Sequence, residues 1–236
     1  SAAHGSATGS VDRPPATREL RELVRHRAKL VGIKSNLKCQ VHAVLAGAGV
    51  TVLMSDLFGV EGHQLLERVD LSPAARARVN SQLRLIENLE FEIGLFANLV
   101  AGRLRADPGY AAIQAVPGIG AVLGAVFVAE IGEVSRFPGP AQLASWAGLT
   151  PRHRESDTTV HRGRITKQGS RLVRWAAVEA VQRVGGHTRL GQIRDQVGAR
   201  RGRNIGVVAA ARELIVLVFY GLREHHIRCL APKPAA

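Results

Sequence analysis

The sequence predicts a mostly α-helical protein, in which a long antiparallel helical hairpin of the coiled-coil type precedes a compact helical domain. Apolar residues recur every three, four or seven positions over two long stretches, which is the spacing of a buried helix face. Proline and glycine clusters mark the ends of these stretches. A glycine-containing turn between two apolar segments further along the chain predicts a helix-hairpin-helix-like turn in the compact domain.

The first long helix is predicted to begin at about Arg18. Residues 1–17 are small, polar and proline-containing, so we expect a flexible leader or a cut end there. Apolar residues then recur every seven positions, and basic residues such as Arg21 occupy the other faces. The heptad positions are Leu23, Leu30, Leu37 and Val44, with Ile33 and Val41 between them. The pattern predicts a basic amphipathic helix.

A second long helix is predicted from Ser72-Pro73 to about Leu104, because serine caps helices and proline is favoured at the first helical position. Its apolar face comprises Val79, Leu83, Ile86, Ile93, Phe96 and Val100. The two helices would pack as an antiparallel coiled-coil hairpin over residues 18–106, although an ordinary pair of core helices explains the same pattern. Between them we expect a short irregular region through Gly59 and Gly62.

A second domain, residues 107–236, is predicted to begin at Asp107-Pro108-Gly109, where the composition shifts to small residues. Its first motif is the turn Gly118-Ile119-Gly120. Glycines there permit backbone angles that other residues avoid, and they leave the amides of the next helix open to a phosphate. The turn therefore predicts a nucleic-acid contact at Gly118 and Gly120. A tight turn that allows close helix packing explains the same glycines.

The composition favours a polyanionic partner. The chain has 236 residues, with 32 Lys+Arg against 19 Asp+Glu, a net charge of +13 and a pI near 11.2. Aromatic residues make up 4%, which argues against base stacking on single strands as the main binding mode.

Other classes of protein fit the sequence poorly. Cys39 and Cys229 are far apart and form no CxxC motif, which predicts a cytoplasmic protein without a disulfide framework or zinc site. The histidines lack the spacing of a ligand set, so no metal-binding residues are predicted. The longest apolar run, from Leu214 to Tyr220, is too short to span a bilayer, so we expect no membrane contact.

A strongly basic segment lies between Gly148 and Trp175 and is predicted to be a polar loop that holds nucleic acid. It contains two serines. Ser156 lies in the polar loop and precedes no helix pattern, whereas Ser170 is predicted to cap the following helix. The predicted nucleic-acid contacts in this segment are Arg152, Arg154, Arg162, Arg164, Lys167, Arg171 and Arg174. A hydroxyl that attacks a phosphodiester needs such cations to neutralise the charge of the transition state. A solvated loop serine is the simpler interpretation of Ser156.

Four sequence blocks follow one another in this chain, with a serine-containing polar loop before the last. They are VPGIG, AEIG, RFPGPAQLASWAGLTP and RGRITKQGSRLVRWA. This order resembles the C-terminal half of insertion-sequence transposases of the IS one-ten family. The resemblance runs from about Arg18 to Arg183 and is most specific from Val116 to Trp175. It implies DNA transposition and recombination by a homo-oligomer on paired DNA ends, guided by a structured bridge RNA.

The resemblance also implies a role for Ser156. The family serine lies five residues beyond the proline of a Gly-Leu-x-Pro motif, and that proline is Pro151 here. Ser156 is therefore expected to attack a DNA phosphodiester and form a phosphoserine link. The family is usually glycine-rich after this serine, whereas this chain has Asp157-Thr158-Thr159, whose carboxylate would repel a phosphate.

Members of the family resemble one another in an N-terminal RuvC-like domain that holds metal ions with four acidic residues. This chain starts where their coiled coil starts, so we expect no cofactor bound by the chain itself, with Mg²⁺ supplied only by an acidic domain that is missing here. Two hypotheses follow. In the first, the chain is the C-terminal part of a recombinase with Ser156 as nucleophile, and it is either truncated or complemented by another chain that supplies the acidic domain. In the second, it is a non-catalytic nucleic-acid-binding remnant in which Ser156 is incidental.

Overall fold

A computed structural model describes the backbone of residues 15–156 and 159–230 and the side chains of these residues outside 153–162 and Leu230. Most of the predicted leader lies outside the described residues. The described chain is mostly helical and contains a single two-stranded antiparallel sheet, so the predicted mostly-α fold is confirmed.

The elements follow one another along the chain with short connections. They are α1 (Pro15–Gly47), α2 (Val60–Arg68), α3 (Pro73–Leu104), α4 (Pro108–Gln114), α5 (Ala121–Ile131), α6 (Pro140–Trp146), β1 (Pro151–Ser156), β2 (Thr159–Ile165), α7 (Arg171–Gln182), α8 (Arg189–Arg201) and α9 (Arg203–Glu224). Short 3₁₀ turns occupy Val134–Arg136 and Arg228–Leu230.

Two regions differ from what the sequence predicts. The segment predicted as a polar loop forms the strands β1 and β2. The sequence did not indicate these strands, because their charged and β-branched residues lack the apolar alternation that marks a half-buried strand. The region predicted as irregular contains α2. Gly62 lies inside this helix, where an added Cβ would come within 2.0 Å of the Leu57 carbonyl oxygen. That glycine permits close packing and does not break the helix.

The chain divides into two compact units, and α1 and α3 contribute residues to both. The hairpin unit comprises residues 25–99, and the C-terminal unit comprises the chain up to Val24 and from Val100 onward. The predicted domain limits, 1–17, 18–106 and 107–236, stay sequence-based predictions.

In the hairpin unit, α1 and α3 run antiparallel. The His26 and Phe96 rings lie 4.5 Å apart between centroids, and Lys34 Nζ lies 3.3 Å from Glu90 Oε1. The partner's number falls as the number on α1 rises, which is the antiparallel arrangement that the sequence predicts.

The core of the hairpin unit also includes α2 and the segments on either side of it. Its buried residues are Val41, Val44, Leu45, Leu57, Leu66, Val79 and Ile86. Ile33, which the heptad pattern places on the seam, is instead 43% exposed.

The C-terminal unit has its own core, to which α4, α5, α6, α7 and α9 contribute. Its largest fully buried side chains include Phe127, Ile131, Leu143, Leu214 and Phe219. Arg21 is buried rather than solvated as predicted, with 6% of its surface exposed. It donates hydrogen bonds to the carbonyls of Ala129 (3.0 Å) and Glu130 (3.2 Å), so the start of α1 is tied to the end of α5.

Within the described part of the chain, α9 is the helix whose length and composition would allow it to cross a membrane. Residues such as Val207, Leu214, Val218 and Phe219 place one of its faces inside the core of the C-terminal unit. A buried core helix has the same composition as a membrane helix, and the expected absence of membrane contact stays a prediction.

Candidate nucleic-acid interface

The base of the β1–β2 hairpin is fixed by close backbone contacts. The Thr166 amide donates to the Thr150 carbonyl at 2.9 Å, and the Lys167 amide donates to the Gly148 carbonyl at 3.1 Å. Gly148 and Gly169 have φ values of +71° and +66°, a region that favours glycine. An added Cβ on Gly169 would lie 1.9 Å from the Trp146 carbonyl oxygen. The hairpin is therefore positioned by backbone packed against backbone.

Arg174 on α7 strengthens the same junction. Its Nη1 donates to the carbonyls of Ala147 (3.0 Å) and Gly169 (3.4 Å), and also to that of Gln168. Burial, and secondarily the positive charge of Arg171, lowers the pKa of the Arg174 guanidinium. The sequence predicts Arg174 as a nucleic-acid contact, but in the structure its side chain positions the base of the hairpin. The charge pattern alone did not indicate this role.

Ser170 caps α7, as the sequence predicts. Its Oγ accepts a hydrogen bond from the Val173 amide at 3.3 Å and donates one to Glu130 Oε2 at 2.9 Å. Glu130 lies on α5 and is 4% exposed. The hydroxyl is therefore committed to holding α7 against α5.

Ser156 is the last residue of β1, and its backbone pairs with Thr159 of β2. The backbones of the predicted contacts Arg154 and Arg162 are in the same ladder, paired with His161 and His153. Their side chains, that of Ser156 and the whole of Asp157 lie outside the described residues. The nucleophile role of Ser156 stays a prediction.

Four of the predicted cations surround the base of the hairpin, and we refer to them as the hairpin-base cations: Arg152, Arg164, Lys167 and Arg171. All four are exposed, and none has an ion-pair partner among the side chains that the structure describes. Arg152 Nη2 donates one long hydrogen bond, 3.4 Å, to the Thr166 carbonyl. Exposed guanidinium and ammonium groups without carboxylate partners are suited to binding phosphate oxygens.

The turn from α4 to α5 contains the other two predicted contacts, and its two glycines differ. Gly118 has a φ of +91°, and an added Cβ there would lie 2.4 Å from the Ala180 carbonyl oxygen of α7. Gly118 is thus required for close helix packing. Gly120 is the exposed N-cap of α5, makes no side-chain cap, and has nothing within 4 Å of a Cβ position. Phosphate binding at the turn stays a prediction.

Potential metal ligands are not clustered in the part of the chain that the structure describes. Among the side chains that the structure describes, which leave out residues 153–162 and Leu230, no group of three or more His, Cys, Asp or Glu could hold a metal ion. The described residues therefore do not fit a magnesium site of the kind that the resemblance implies for an acidic domain.

Residues 110–197 match the family described as Transposase IS116/IS110/IS902. The match begins in α4, ends in α8, and contains the α4–α5 turn, the β-hairpin and Ser156. The C-terminal part of this chain thus matches a transposase family. The resemblance predicted from the sequence is thereby confirmed for this part of the chain.

Similar proteins extend the comparison. The "Insertion element IS116 uncharacterized 44.8 kDa protein" of Streptomyces clavuligerus is 30% identical over 132 residues, 54% of this chain and 33% of that protein. The "Transposase for insertion sequence element IS1111A" of Coxiella burnetii is 22% identical over 220 residues, 89% of this chain and 60% of that protein. The matched part of this chain thus spans a third to three-fifths of the length of these two relatives.

Proposed function

We propose that this chain is the C-terminal part of a DNA transposase, a site-specific recombinase that cleaves and transfers DNA strands with Ser156 as its nucleophile. The match of residues 110–197 to the transposase family carries the proposal. Two local features support it. Ser156 ends a paired strand inside the matched region, and four exposed cations lie at the base of the same hairpin.

The chemistry assigned to this chain is a phosphoryl transfer. Ser156 Oγ attacks the phosphorus of a DNA phosphodiester and loses its proton, while the bond from phosphorus to one sugar oxygen breaks and that oxygen leaves as a hydroxyl. The energy of the phosphodiester is kept in a phosphoserine link, so a sugar hydroxyl of another strand can reverse the step. The hairpin-base cations bind nonbridging oxygens and neutralise the transition-state charge.

The remaining partners enter the proposal through the family resemblance. Guided recognition requires a structured RNA, for which the net charge of +13 is favourable. Paired DNA ends require a homo-oligomer. Magnesium ions assist phosphoryl transfer when an acidic domain holds them, and we place that domain outside the residues of this chain that the structure describes. Each of these partners is a separate expectation and is tested separately.

A second function, a non-catalytic nucleic-acid-binding remnant, is favoured by one feature of the sequence. Asp157 follows Ser156 directly where the family is usually glycine-rich, and a carboxylate beside the nucleophile repels the phosphate that it must approach. In this alternative, the exposed cations bind nucleic acid and Ser156 has no chemical role.

The Ser156→Ala variant separates the two functions. The chain is combined with DNA, a bridge RNA and an acidic RuvC-like domain, and covalent protein–DNA adducts are counted on denaturing gels. The recombinase proposal expects an adduct with the wild type, none with Ser156→Ala, and unchanged DNA affinity. Ser145→Ala, which replaces an exposed serine of α6, is the control and should keep the adduct. Equal adduct formation by the wild type and Ser156→Ala would refute the nucleophile assignment.

A further inference from the structure

The junction between α8 and α9 is a sharp, solvent-exposed corner with a concentration of positive charge. Gly202 joins the two helices with a φ of +98°, and nothing lies within 4 Å of a Cβ position there. Arg200 and Arg201 end α8, and Arg203 begins α9. All three side chains are exposed, and we refer to them as the arginine corner.

The stretch from Arg183 to Arg203 contains three other arginines, and these already have partners. Arg183 Nη2 lies 2.8 Å from Glu179 Oε1, and Arg189 Nη2 lies 2.8 Å from Glu213 Oε1. Arg194 Nε lies 2.8 Å from Asp195 Oδ1, and its Nη1 donates to two backbone carbonyls. These three arginines therefore have structural roles.

The arginine corner has no such partners. Among the described side chains, no carboxylate lies within ion-pair distance of its three guanidinium groups. Arg200 Nε donates one long hydrogen bond, 3.4 Å, to the Gln196 carbonyl. Three guanidinium groups within four residues repel one another unless an anion lies between them.

Helix stability explains only part of this arrangement. Arg200 and Arg201 are favourable in the last turn of α8, where the helix dipole is negative, but Arg203 opens α9, where the dipole is positive. An arginine at that end weakens the helix slightly. Helix stability therefore does not explain Arg203, whereas an exposed guanidinium group at this position is suited to binding an external anion.

The corner is also held rigidly. An added Cβ on Gly206 of α9 would lie 2.2 Å from the Arg194 carbonyl oxygen of α8, so the two helices pack backbone to backbone. Beside them is a cavity of about 620 Å³ whose lining includes Arg194, Arg203 and Asp195, the carboxylate that pairs with Arg194. A backbone that is already held in place loses less entropy on binding than a flexible loop does.

We propose that the arginine corner is a second nucleic-acid contact of this protein, which binds the phosphodiester backbone without reading bases. Guanidinium groups bind phosphate oxygens through paired hydrogen bonds, and residues 200–204 contain no aromatic side chain for stacking. The corner follows the region matched to the transposase family, which ends at residue 197. DNA and structured RNA share this backbone chemistry.

The test compares two double variants of the full chain that remove equal charge. R201Q/R203Q neutralises two residues of the corner, and R183Q/R189Q neutralises two exposed arginines that have carboxylate partners. Binding to a fluorescent duplex DNA and to a fluorescent RNA hairpin is measured over a range of salt concentrations. Circular dichroism checks that both variants remain folded.

We expect R201Q/R203Q to lower affinity on the order of tenfold at low salt and to reduce the salt slope by about two for at least one of the polymers. The polymer affected identifies the natural partner. An equal change in both double variants, or no change with either polymer, would overturn the proposal. The readout is independent of the proposed function, because Ser156→Ala is judged by adduct formation and the corner is judged by the salt slope.

Discussion

Arg174 and Arg164 have the same side chain and lie in the same basic segment, but the structure gives them different surroundings. Arg174 donates to three backbone carbonyls and is half-buried, whereas Arg164 is exposed and has no ion-pair partner among the described side chains. A guanidinium that satisfies buried carbonyls contributes to folding, and one that extends into solvent contributes little until an anion binds.

We therefore predict that two glutamine substitutions affect different properties, one the stability and the other the binding of DNA. Arg174→Gln should lower the free energy of unfolding by about 2 kcal/mol, because charged hydrogen bonds to carbonyls are lost. Arg164→Gln should leave stability unchanged and reduce the salt slope of DNA binding by about one. Urea unfolding and fluorescence anisotropy measure the two quantities. Loss of stability in Arg164→Gln would contradict its assignment as a free phosphate contact.

At the scale of the element, the β-hairpin depends on glycines at its base. The Trp146 carbonyl would be 1.9 Å from a Cβ on Gly169, and the positive φ there disfavours any other residue. Gly169→Ala should lower the free energy of unfolding by at least about 2 kcal/mol, through strain and overpacking together.

The matched control for this prediction is Gly198→Ala in α8. A Cβ on Gly198 meets Arg203 Cα at an ordinary distance of 3.7 Å, and alanine is favoured over glycine inside a helix by about 1 kcal/mol. This variant should be as stable as the wild type or more stable. If both substitutions lowered the melting temperature equally, the backbone packing at Gly169 could not be the cause.

The sequence predicts the long helices better than the hairpin. The apolar face of α3 is confirmed because residues such as Val79, Ile86 and Val100 repeat at helical spacing over many turns. No such repeat exists in β1 and β2, whose backbone pairing is anchored by carbonyl contacts at Gly148 and Gly169. These contacts join residues that are separated in sequence, so a local pattern does not reveal them.

The same limit applies to the candidate site. Composition and spacing predict a basic segment around Ser156 and the cap at Ser170, because both depend on neighbouring residues. Composition and spacing do not show that Arg174 has a structural role while the hairpin-base cations remain exposed. That difference depends on which side chains reach the carbonyls of residues 147–169, and tertiary packing decides it.

At the scale of the whole molecule, two groups of exposed cations are the candidate phosphate contacts. The hairpin-base cations and the arginine corner contain seven exposed side chains without carboxylate partners among the described residues, on a chain of net charge +13. Each phosphate that these side chains neutralise releases condensed counterions, and the entropy gained from that release falls as the salt concentration rises.

We therefore predict a steep salt dependence of duplex DNA binding. If all seven side chains contact phosphates, the slope of log affinity against log salt should be about −6, and affinity should fall about four thousandfold between 50 and 200 mM salt. Anisotropy titrations of the full chain measure this slope. A nearly flat response would mean that the exposed cations do not bind the backbone. A slope near −4 that R201Q/R203Q leaves unchanged would restrict binding to the hairpin-base cations, because four contacts alone give about that value.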